Sequence, residues 1–426
     1  MLMNLQVYNE TQYALLNCLD HRFDLPTFPT NAHSAAINSL SLDPLQGRFL
    51  LSGCADSSIK LWDLQNTVVE RDEERVHEID YHPAQKYHPV CVIPRRSVHE
   101  FGVTKVKWWP DNGMWLSSSF DFKMNLYDTN TMQVAHSFKL GSRVSDFDFH
   151  PLGDSSTVVC CLDGGVGGLK LLDLRVMSDS QNLGGGGKSV GGVGYMNSCA
   201  WSPASSYLCL GGGIDGACYG WDIRSSGKYL FELDSNTTPA VMNAESISGR
   251  SRMKRKRVKA NAHHDSINSM VFNETGTELI TMGTDEKVRV WDMCTYRKPV
   301  NRGINFGPLI RNKGKQHVEM CISPALQTDI SFLWVPSDSG ENLVYRVDDG
   351  ALFARLNRST SANTTFKTAA SRKPISIVAA GDIDGQVRFF SGCRDGNLCV
   401  WGGDSRRTIP THPTGFDNGV DEPEPI

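Results

Sequence analysis

The chain repeats one pattern of apolar and polar positions. An apolar run and a pair of small residues lead to an aspartate, and an aromatic residue follows six positions later. Five segments carry it, with the pairs Asp56 and Trp62, Asp121 and Tyr127, Asp215 and Trp221, Asp285 and Trp291, and Asp395 and Trp401. Apolar and polar residues alternate on both sides of the short turn that holds the aspartate. This alternation predicts a β-hairpin in each segment.

A further apolar strand precedes these hairpins, and two weaker units complete the series. The preceding strands read INSLSLDP, VTKVKWWPDNG, VSDFDFHPLG, MNSCAWSP and INSMVFNETG. In the weaker units Leu172 and Tyr345 stand in the aromatic position, which we call the slot. The shorter slot spacings match a propeller blade of roughly 40–45 residues. Seven units close a ring without exposed sheet edges, so the predicted fold is all-β, a seven-bladed propeller.

These features resemble the WD40 repeat family over nearly the whole chain, from about Ala32 to Gly402. The resemblance implies three regions. Residues 1–31 form a short N-terminal helical docking segment, and residues 32–404 form the propeller, with insertions at about 178–194, 235–262 and 358–374. Residues 405–426 form an acidic tail that we expect to be disordered.

The WD40 resemblance also implies a structural hydrogen-bond relay within a blade. It joins a His before the first strand, a Ser or Thr on the second strand, the turn Asp and the slot aromatic. Three units fit it: His33, Ser52, Asp56 and Trp62; His99, Ser117, Asp121 and Tyr127; and His263, Thr281, Asp285 and Trp291. The same residue types mimic a catalytic triad. Because the set recurs three times, we predict a structural role and no enzyme activity.

Composition narrows the class of function. Lys and Arg number 43 against 47 Asp and Glu, which gives a net charge of −4. This balance argues against direct nucleic-acid contact through overall charge. The chain has no run of 18 apolar residues and no secretory signal pattern, so we expect no membrane span. Its 12 Cys lack a C-x-x-C pair, as expected for reduced thiols in a cytosolic or nuclear protein.

A glycine tract and a basic run are the main low-complexity features. Gly184–Gly187 before Lys188 suggests a phosphate loop, but Asn182 holds the position where that motif needs glycine, so we expect no cofactor and no metal ion. The basic run lies between Arg250 and Lys259, and its densest part comprises Lys254, Arg255, Lys256, Arg257 and Lys259. Nuclear localisation is our interpretation, while DNA contact and a solvated loop remain open.

Two features predict partner-binding surfaces. An amphipathic helix is predicted around Thr11–Leu19, with Leu15, Leu16 and Leu19 among its apolar residues. It either packs on the propeller rim or docks in a partner's groove. Two consecutive units end in Asp-x-Arg: Asp173 with Arg175, and Asp222 with Arg224. By resemblance to WD40 receptors of cullin-4 ligases, these boxes mark the adaptor-binding face, although an ion pair within the blade explains them equally well.

Several stretches are similar to the Cockayne syndrome group A family of WD40 proteins, among them INSLSLDPLQGRFLLSG, FLWVP and FSGCRDGNLCVW, in the same order. The resemblance implies a non-catalytic substrate receptor of a cullin-4 RING ubiquitin ligase in transcription-coupled nucleotide excision repair. It implies three partners: the ligase adaptor called damage-specific DNA-binding protein subunit one, RNA polymerase II, and a repair helicase of the Cockayne syndrome group B type. A generic nuclear scaffold in chromatin or RNA processing stays open as the alternative.

Overall fold

The computed structural model describes residues 27–70, 84–151, 156–163, 168–183, 194–225, 229–239, 260–295, 298–323, 331–356, 374–383 and 386–402. Its secondary-structure elements are strands, β1 to β27 in chain order. They form six four-stranded sheets and one three-stranded sheet, all antiparallel, with the strands of each sheet consecutive in the sequence. The predicted helix around Thr11–Leu19 lies outside the described residues.

The first three sheets contain two of the three predicted relay units and one weaker unit. The first sheet comprises β1 (Ile37–Leu42), β2 (Phe49–Cys54), β3 (Ile59–Glu70) and β4 (Ala84–Ile93). The second comprises β5 (Val103–Trp108), β6 (Met114–Ser119), β7 (Lys123–Asp128) and β8 (Val134–Lys139). The third comprises β9 (Arg143–Phe149), β10 (Thr157–Asp163), β11 (Gly168–Asp173) and β12 (Ser178–Leu183). Strand β12 therefore occupies the first residues of the range predicted as an insertion at 178–194.

The remaining sheets follow in chain order. The fourth comprises β13 (Met196–Trp201), β14 (Leu208–Gly213), β15 (Cys218–Asp222) and β16 (Phe231–Glu232). The fifth comprises β17 (Ile267–Phe272), β18 (Glu278–Gly283), β19 (Val288–Asp292) and β20 (Val300–Asn301). The sixth comprises β21 (Cys321–Ile322), β22 (Phe332–Pro336), β23 (Asn342–Arg346) and β24 (Leu352–Leu356). The three-stranded seventh comprises β25 (Pro374–Ile383), β26 (Gln386–Cys393) and β27 (Leu398–Gly402).

The sheets form a closed ring around a central channel. The first strand of each sheet contacts the first strand of the next, and β25 contacts β1. The inner strand β13 is buried along its whole length, whereas the outer strand β8 is largely exposed. Closure of the ring removes the unpaired inner edges that an open sheet would present to solvent.

Each interface between neighbouring sheets of the described chain has its own apolar cluster. Each of the seven clusters contains one slot residue, and each slot residue packs towards the preceding sheet. Trp62 and Leu50 of the first sheet lie in the same cluster as Phe390 of the seventh sheet, and this contact closes the ring. Burial of a large side chain contributes about 1.5–3 kcal/mol, so the slot residues hold neighbouring sheets together.

The alternation of strand direction gives the ring two faces. We call the face with the loops between the first and second strands and between the third and fourth strands the lower face. The loops between second and third strands, and those between sheets, lie on the upper face. The turn aspartates therefore lie on the upper face and the Asp-x-Arg boxes on the lower face.

Candidate functional site

The structure brings the predicted relay residues together in three sheets. In the second sheet, His99 Nδ1 lies 2.9 Å from Asp121 Oδ2, and His99 Nε2 lies 2.6 Å from Ser117 Oγ. Ser117 Oγ is 3.1 Å from the hydroxyl of the slot residue Tyr127. An ionised carboxylate only accepts hydrogen bonds, so His99 Nδ1 is the donor in its contact with Asp121.

The fifth sheet repeats this arrangement with an indole in the slot. His263 Nδ1 lies 2.9 Å from Asp285 Oδ1, and His263 Nε2 lies 2.8 Å from Thr281 Oγ1. The indole N–H of Trp291 donates to Thr281 Oγ1 over 2.9 Å. Burial lowers the pKa of His263, so the ring stays neutral. Burial alone would raise the pKa of Asp285, but hydrogen bonds from His263 and Arg289 hold it well below its usual range.

The first sheet differs in one link. His33 Nε2 lies 2.7 Å from Ser52 Oγ, which accepts the Trp62 indole N–H over 2.9 Å. On the other side of the ring, His33 Nδ1 contacts Ser58 Oγ at 3.0 Å, and Ser58 in turn donates to Asp56. Ser58 therefore stands between the histidine and the turn aspartate, which the sequence pattern did not indicate.

The relay hydroxyls cannot serve as accessible nucleophiles, because Ser52, Ser117 and Thr281 are fully buried. Their oxygen atoms face the slot residue inside the blade. A triad nucleophile must instead reach a substrate carbonyl. The geometry thus supports the structural role proposed for the relay.

Sequence reasoning missed a fourth partial relay. In the seventh sheet the Trp401 indole N–H donates to Ser391 Oγ over 2.8 Å. A hydroxyl ten positions before the slot residue is the common signal, and it was present in the sequence. In the fourth sheet that position is Gly211, and Trp221 Nε1 has no hydrogen-bond partner among the described residues.

Three donors of the first sheet also have metal-ligand character. His33, Cys54 and Asp56 offer ligand atoms within 4.8 Å of one another. Both Asp56 oxygens already accept hydrogen bonds, from Ser34, Ser58 and Arg95. Burial raises the pKa of the Cys54 thiol to about 12, so this sulfur is protonated. We assign His33 and Asp56 to the relay.

The Asp-x-Arg boxes lie on the lower face of adjacent sheets, directly after β11 and β15. Arg224 Nε and Nη2 pair with the two Asp222 oxygens at 2.9 and 2.6 Å, while 64% of its side chain stays exposed. Arg175 is 74% exposed, and its Nε lies 3.7 Å from Asp173 Oδ1. Both arginines therefore make the within-blade contact and also face solvent.

Large exposed apolar side chains accompany these arginines in the lower-face loops of the third and fourth sheets. They are Val176, Met177, Tyr207, Tyr229 and Leu230. The Arg224 guanidinium also lies over the Tyr207 ring. Exposed apolar residues grouped with arginine and tyrosine are typical of protein-binding surfaces. We call Arg175, Arg224 and these five residues the lower-face patch.

The other predicted site residues lie outside the described residues. They are Leu15, Leu16 and Leu19 of the N-terminal segment, and Lys254, Arg255, Lys256, Arg257 and Lys259 of the basic run. Their roles in docking and nuclear import stay predictions. Within the described part of the chain, no helix has the length and apolar character needed to cross a bilayer.

A buried charged cluster in the central channel was not predicted. Lys105 Nζ contacts Asp146 Oδ1 at 2.7 Å, and His317 Nδ1 lies 3.5 Å from Asp146 Oδ2. Glu319 accepts hydrogen bonds from Ser39 Oγ and the Leu40 amide at 2.6 and 3.1 Å. Burial would lower the pKa of Lys105, but the carboxylate of Asp146 raises it above its usual value.

The same cluster joins inner strands of neighbouring sheets. Asp146 Oδ2 accepts the Cys199 amide over 2.8 Å, and Ser39 Oγ accepts the Val106 amide over 3.1 Å. These polar residues lie near the start of the inner strands, as in INSL, VTKV, VSDF and MNSC. The strand motifs were visible in the sequence, but their convergence on one axis required the ring.

Comparison with known proteins agrees with this architecture. The family described as WD domain, G-beta repeat matches residues 25–63, 91–128 and 255–292. These three segments contain the three relays in which a histidine takes part. The seventh-sheet relay, which the structure shows without a histidine, lies outside the matched segments.

Three similar proteins cover much of the chain. WD repeat-containing protein ATCSA-1 of Arabidopsis thaliana is 26% identical over 353 residues, which is 69% of this chain and 74% of that protein. Radiation-sensitive protein 28 of Saccharomyces cerevisiae is 25% identical over 61% of this chain, and the match spans about half, 52%, of the yeast protein. Periodic tryptophan protein 1 homolog of Drosophila melanogaster is 22% identical over 68% of this chain. The ring of sheets, the relays and these similarities identify the chain as a WD40 repeat protein with an all-β propeller fold.

Proposed function

We propose that this propeller is a substrate receptor of a cullin-4 RING ubiquitin ligase acting in transcription-coupled nucleotide excision repair. The three-stranded sheet is its seventh blade. The chain performs no catalysis itself; it holds one protein surface against another. A closed ring of packed sheets suits this task, because a rigid surface loses little conformational freedom on binding.

Similarity supports the repair assignment. The matched regions of ATCSA-1 and radiation-sensitive protein 28 span most of this chain. The name of the yeast relative connects it with radiation sensitivity. The chain also resembles the Cockayne syndrome group A family, whose members recruit targets at stalled RNA polymerase II.

The lower-face patch is the observation that carries the proposal. Arg175 and Arg224 are exposed on adjacent blades and lie among exposed apolar side chains. An arginine that is already paired with its own aspartate has a restricted orientation, so it loses less rotamer freedom when a partner binds. The ligase adaptor, damage-specific DNA-binding protein subunit one, binds here together with the N-terminal segment that contains Leu15, Leu16 and Leu19.

The remaining partners bind elsewhere. RNA polymerase II and a helicase of the Cockayne syndrome group B type contact the upper face, which leaves the lower face to the adaptor. The basic residues 254–259 direct the protein to the nucleus, where this repair pathway operates.

Co-purification tests the adaptor contact. The tagged chain is isolated from ultraviolet-treated cells as wild type, as the double variant Arg175→Glu and Arg224→Glu, and as the single variant Arg311→Glu. Arg311 is a suitable control because it is also exposed and ion-paired, to Glu286, but lies on the upper face. We expect the double variant to recover at least about tenfold less adaptor than wild type, because removal of interface arginines strongly weakens binding. The control variant should recover as much adaptor as wild type.

Two results would overturn the proposal. Undiminished recovery of the adaptor with the double variant would remove the lower-face patch from the contact. Absence of the adaptor from the wild-type preparation, with chromatin or RNA-processing proteins in its place, would instead support the generic nuclear scaffold.

A further inference from the structure

A polar cavity lies at the upper mouth of the central channel. It has a volume of about 250 Å³ and is lined by residues of the first four sheets and by a loop that precedes β21. Buried polar residues near the start of the inner strands form its wall: Asn38, Thr104, Ser145 and Asn197. The Asn197 amide group donates to the backbone oxygen of Lys315 over 2.9 Å, which fixes the loop across the mouth.

Among the described residues, two buried polar atoms of this cavity have neither a hydrogen bond nor an ion pair. His317 lines the cavity, its side chain is only 8% exposed, and its Nε2 has no hydrogen-bond partner among the described residues. The Oδ1 atom of Asn38 is unpartnered in the same sense, while its amide nitrogen donates to Val103. Leaving a buried polar group unpaired is costly, so a ligand that pairs with both atoms gains affinity.

Two unpaired cations flank the opening. Arg143 and Lys315 are exposed, line the cavity, and have no ion-pair partner within the described part of the chain. Elsewhere on the upper face, Arg311 and Arg355 are paired with Glu286 and Glu341. Arg143 and Lys315 thus differ from these two paired arginines of the same face.

We propose that this cavity binds the side-chain carboxylate of an acidic residue in an extended segment of a partner protein. The carboxylate lies between Arg143 and Lys315. The single proton of the neutral His317 ring lies on Nδ1, which faces the Asp146 carboxylate, so Nε2 is an acceptor. Backbone N–H groups of the same segment donate to His317 Nε2 and to Asn38 Oδ1. This arrangement pairs both cations and both acceptor atoms, and it does not depend on the proposed ligase function.

The charge balance favours a carboxylate over a phosphate group. Asp163 also lines the cavity and lies opposite Arg143 in the pairing of β9 with β10. Arg143, Lys315 and Asp163 together leave one positive charge, which a single carboxylate neutralises and a dianionic phosphate exceeds. Burial lowers the pKa of His317 to about 4, so this ring adds no positive charge at neutral pH.

Aromatic residues occur in the upper-face loops of two of the sheets that line the cavity. Phe120 lines it, and Phe101, Phe122 and Tyr195 are exposed in upper-face loops of the second and fourth sheets. Exposed aromatic rings provide contact area for apolar residues of a bound peptide. The matching segment therefore has aromatic residues on either side of the acidic one.

Peptide binding tests the assignment. Fluorescein-labelled peptides GSFEDFSG, GSFQNFSG, GSFKKFSG and GSF(pS)(pS)FSG are titrated by fluorescence anisotropy against the full chain. The variants are Arg143→Gln with Lys315→Gln, and Arg355→Gln as a control that removes an upper-face charge outside the cavity. Both cavity side chains are exposed, so their replacement leaves the core intact. Circular dichroism verifies that each variant is folded.

We expect the acidic peptide to bind at least about tenfold more tightly than the amide peptide, because charge-assisted hydrogen bonds are stronger than those of a neutral amide. The double variant loses this preference and Arg355→Gln keeps it. The inference is overturned if the acidic and amide peptides bind alike, if no peptide binds up to about 1 mM, or if the double variant keeps the preference. Tighter binding of the phosphoserine peptide would overturn the choice of carboxylate.

Discussion

The guanidinium of Arg224 lies over the ring of Tyr207, with 4.1 Å between the arginine Cζ and the ring centroid. The two residues come from different loops of the fourth sheet, one after β13 and one after β15. Because Asp222 holds the guanidinium from the side and Tyr207 supports it from its flat face, the arginine is fixed in orientation although it is exposed.

This contact predicts that Tyr207→Ala weakens adaptor binding. A cation–π contact at an exposed site contributes about 0.5–1 kcal/mol, so we expect the adaptor Kd to rise about twofold to fivefold. Tyr207→Phe keeps the aromatic face and should bind as wild type. Biolayer interferometry with purified adaptor measures the Kd. Equal loss in the Ala and Phe variants would show that the tyrosine hydroxyl, and not its ring, matters.

The relay predicts a reciprocal pair of stability effects. Thr281→Val leaves the Trp291 indole N–H and His263 Nε2 without their partner, so we expect a loss of about 1–3 kcal/mol in the free energy of unfolding. Val335 occupies the same place before Tyr345, whose hydroxyl is unpartnered among the described residues. Val335→Thr should therefore gain stability.

Register supports this comparison. Thr281 pairs with Arg289 and Val335 pairs with Leu343, so both side chains stand at the same offset from the slot residue. Urea denaturation at neutral pH measures both variants. A loss of stability in Val335→Thr as large as that in Thr281→Val would contradict the hydrogen-bond explanation.

Glu319 predicts a change in the pH dependence of stability. Burial raises the pKa of Glu319 from 4.5 to about 7, although Lys105 and the hydrogen bond from Ser39 oppose the shift. Between pH 4.5 and pH 7, Glu319 keeps its proton in the folded chain and has lost it in the unfolded chain. The contribution of Glu319 to stability is therefore complete below pH 4.5 and is lost as the pH rises through 7. The full effect is roughly 3 kcal/mol.

His317 also titrates in the acidic part of this range, and its contribution to stability changes with pH in the opposite direction. Comparison of Glu319→Gln with wild type isolates the contribution of Glu319, because both proteins contain His317. We expect the variant to become more stable relative to wild type as the pH rises from 5 to 8. Urea denaturation at constant ionic strength measures the difference. Glu274→Gln, at an exposed carboxylate of the lower channel mouth, serves as the control. Parallel curves for Glu319→Gln and wild type would refute the assignment.

Phe122 predicts a stabilising substitution. Its φ of +66° lies in the left-handed region, and the equivalent turn positions in the fourth and seventh sheets hold Gly216 and Gly396. A bulky side chain in this region costs about 1–2 kcal/mol, whereas asparagine tolerates it. Phe122→Asn should raise the free energy of unfolding by about 1 kcal/mol.

Phe101→Asn provides the matched control. Phe101 is also an exposed phenylalanine of the second sheet's upper face, but it is not among the residues with positive φ. Its substitution should change stability by less than about 0.5 kcal/mol. If both variants change stability alike, ring exposure and not backbone strain explains the effect. Weaker binding of peptide GSFEDFSG to Phe122→Asn would indicate that the strained residue serves binding.

The sequence by itself determined the repeat unit. Hairpin formation, the slot positions and the relay at His99, Ser117 and Asp121 depend on residues close together in the chain, so their spacing encodes the local geometry. The same reasoning missed Ser58, because a second hydroxyl near the turn can replace a direct contact without changing the motif. The outer strand β12 was missed as well. It forms by pairing with β11, and the composition near residue 178 did not reveal this pairing.

Only the tertiary structure decided which distant residues share a site. Lys105, Asp146, His317 and Glu319 stand on separate strands and a loop, and closure of the ring brings them to one axis. The exposure of Arg175 and Arg224 likewise depends on how each loop leaves its blade. Local hydrogen bonds and apolar alternation act over a few residues, whereas burial, charge pairing and cavity shape depend on contacts between blades.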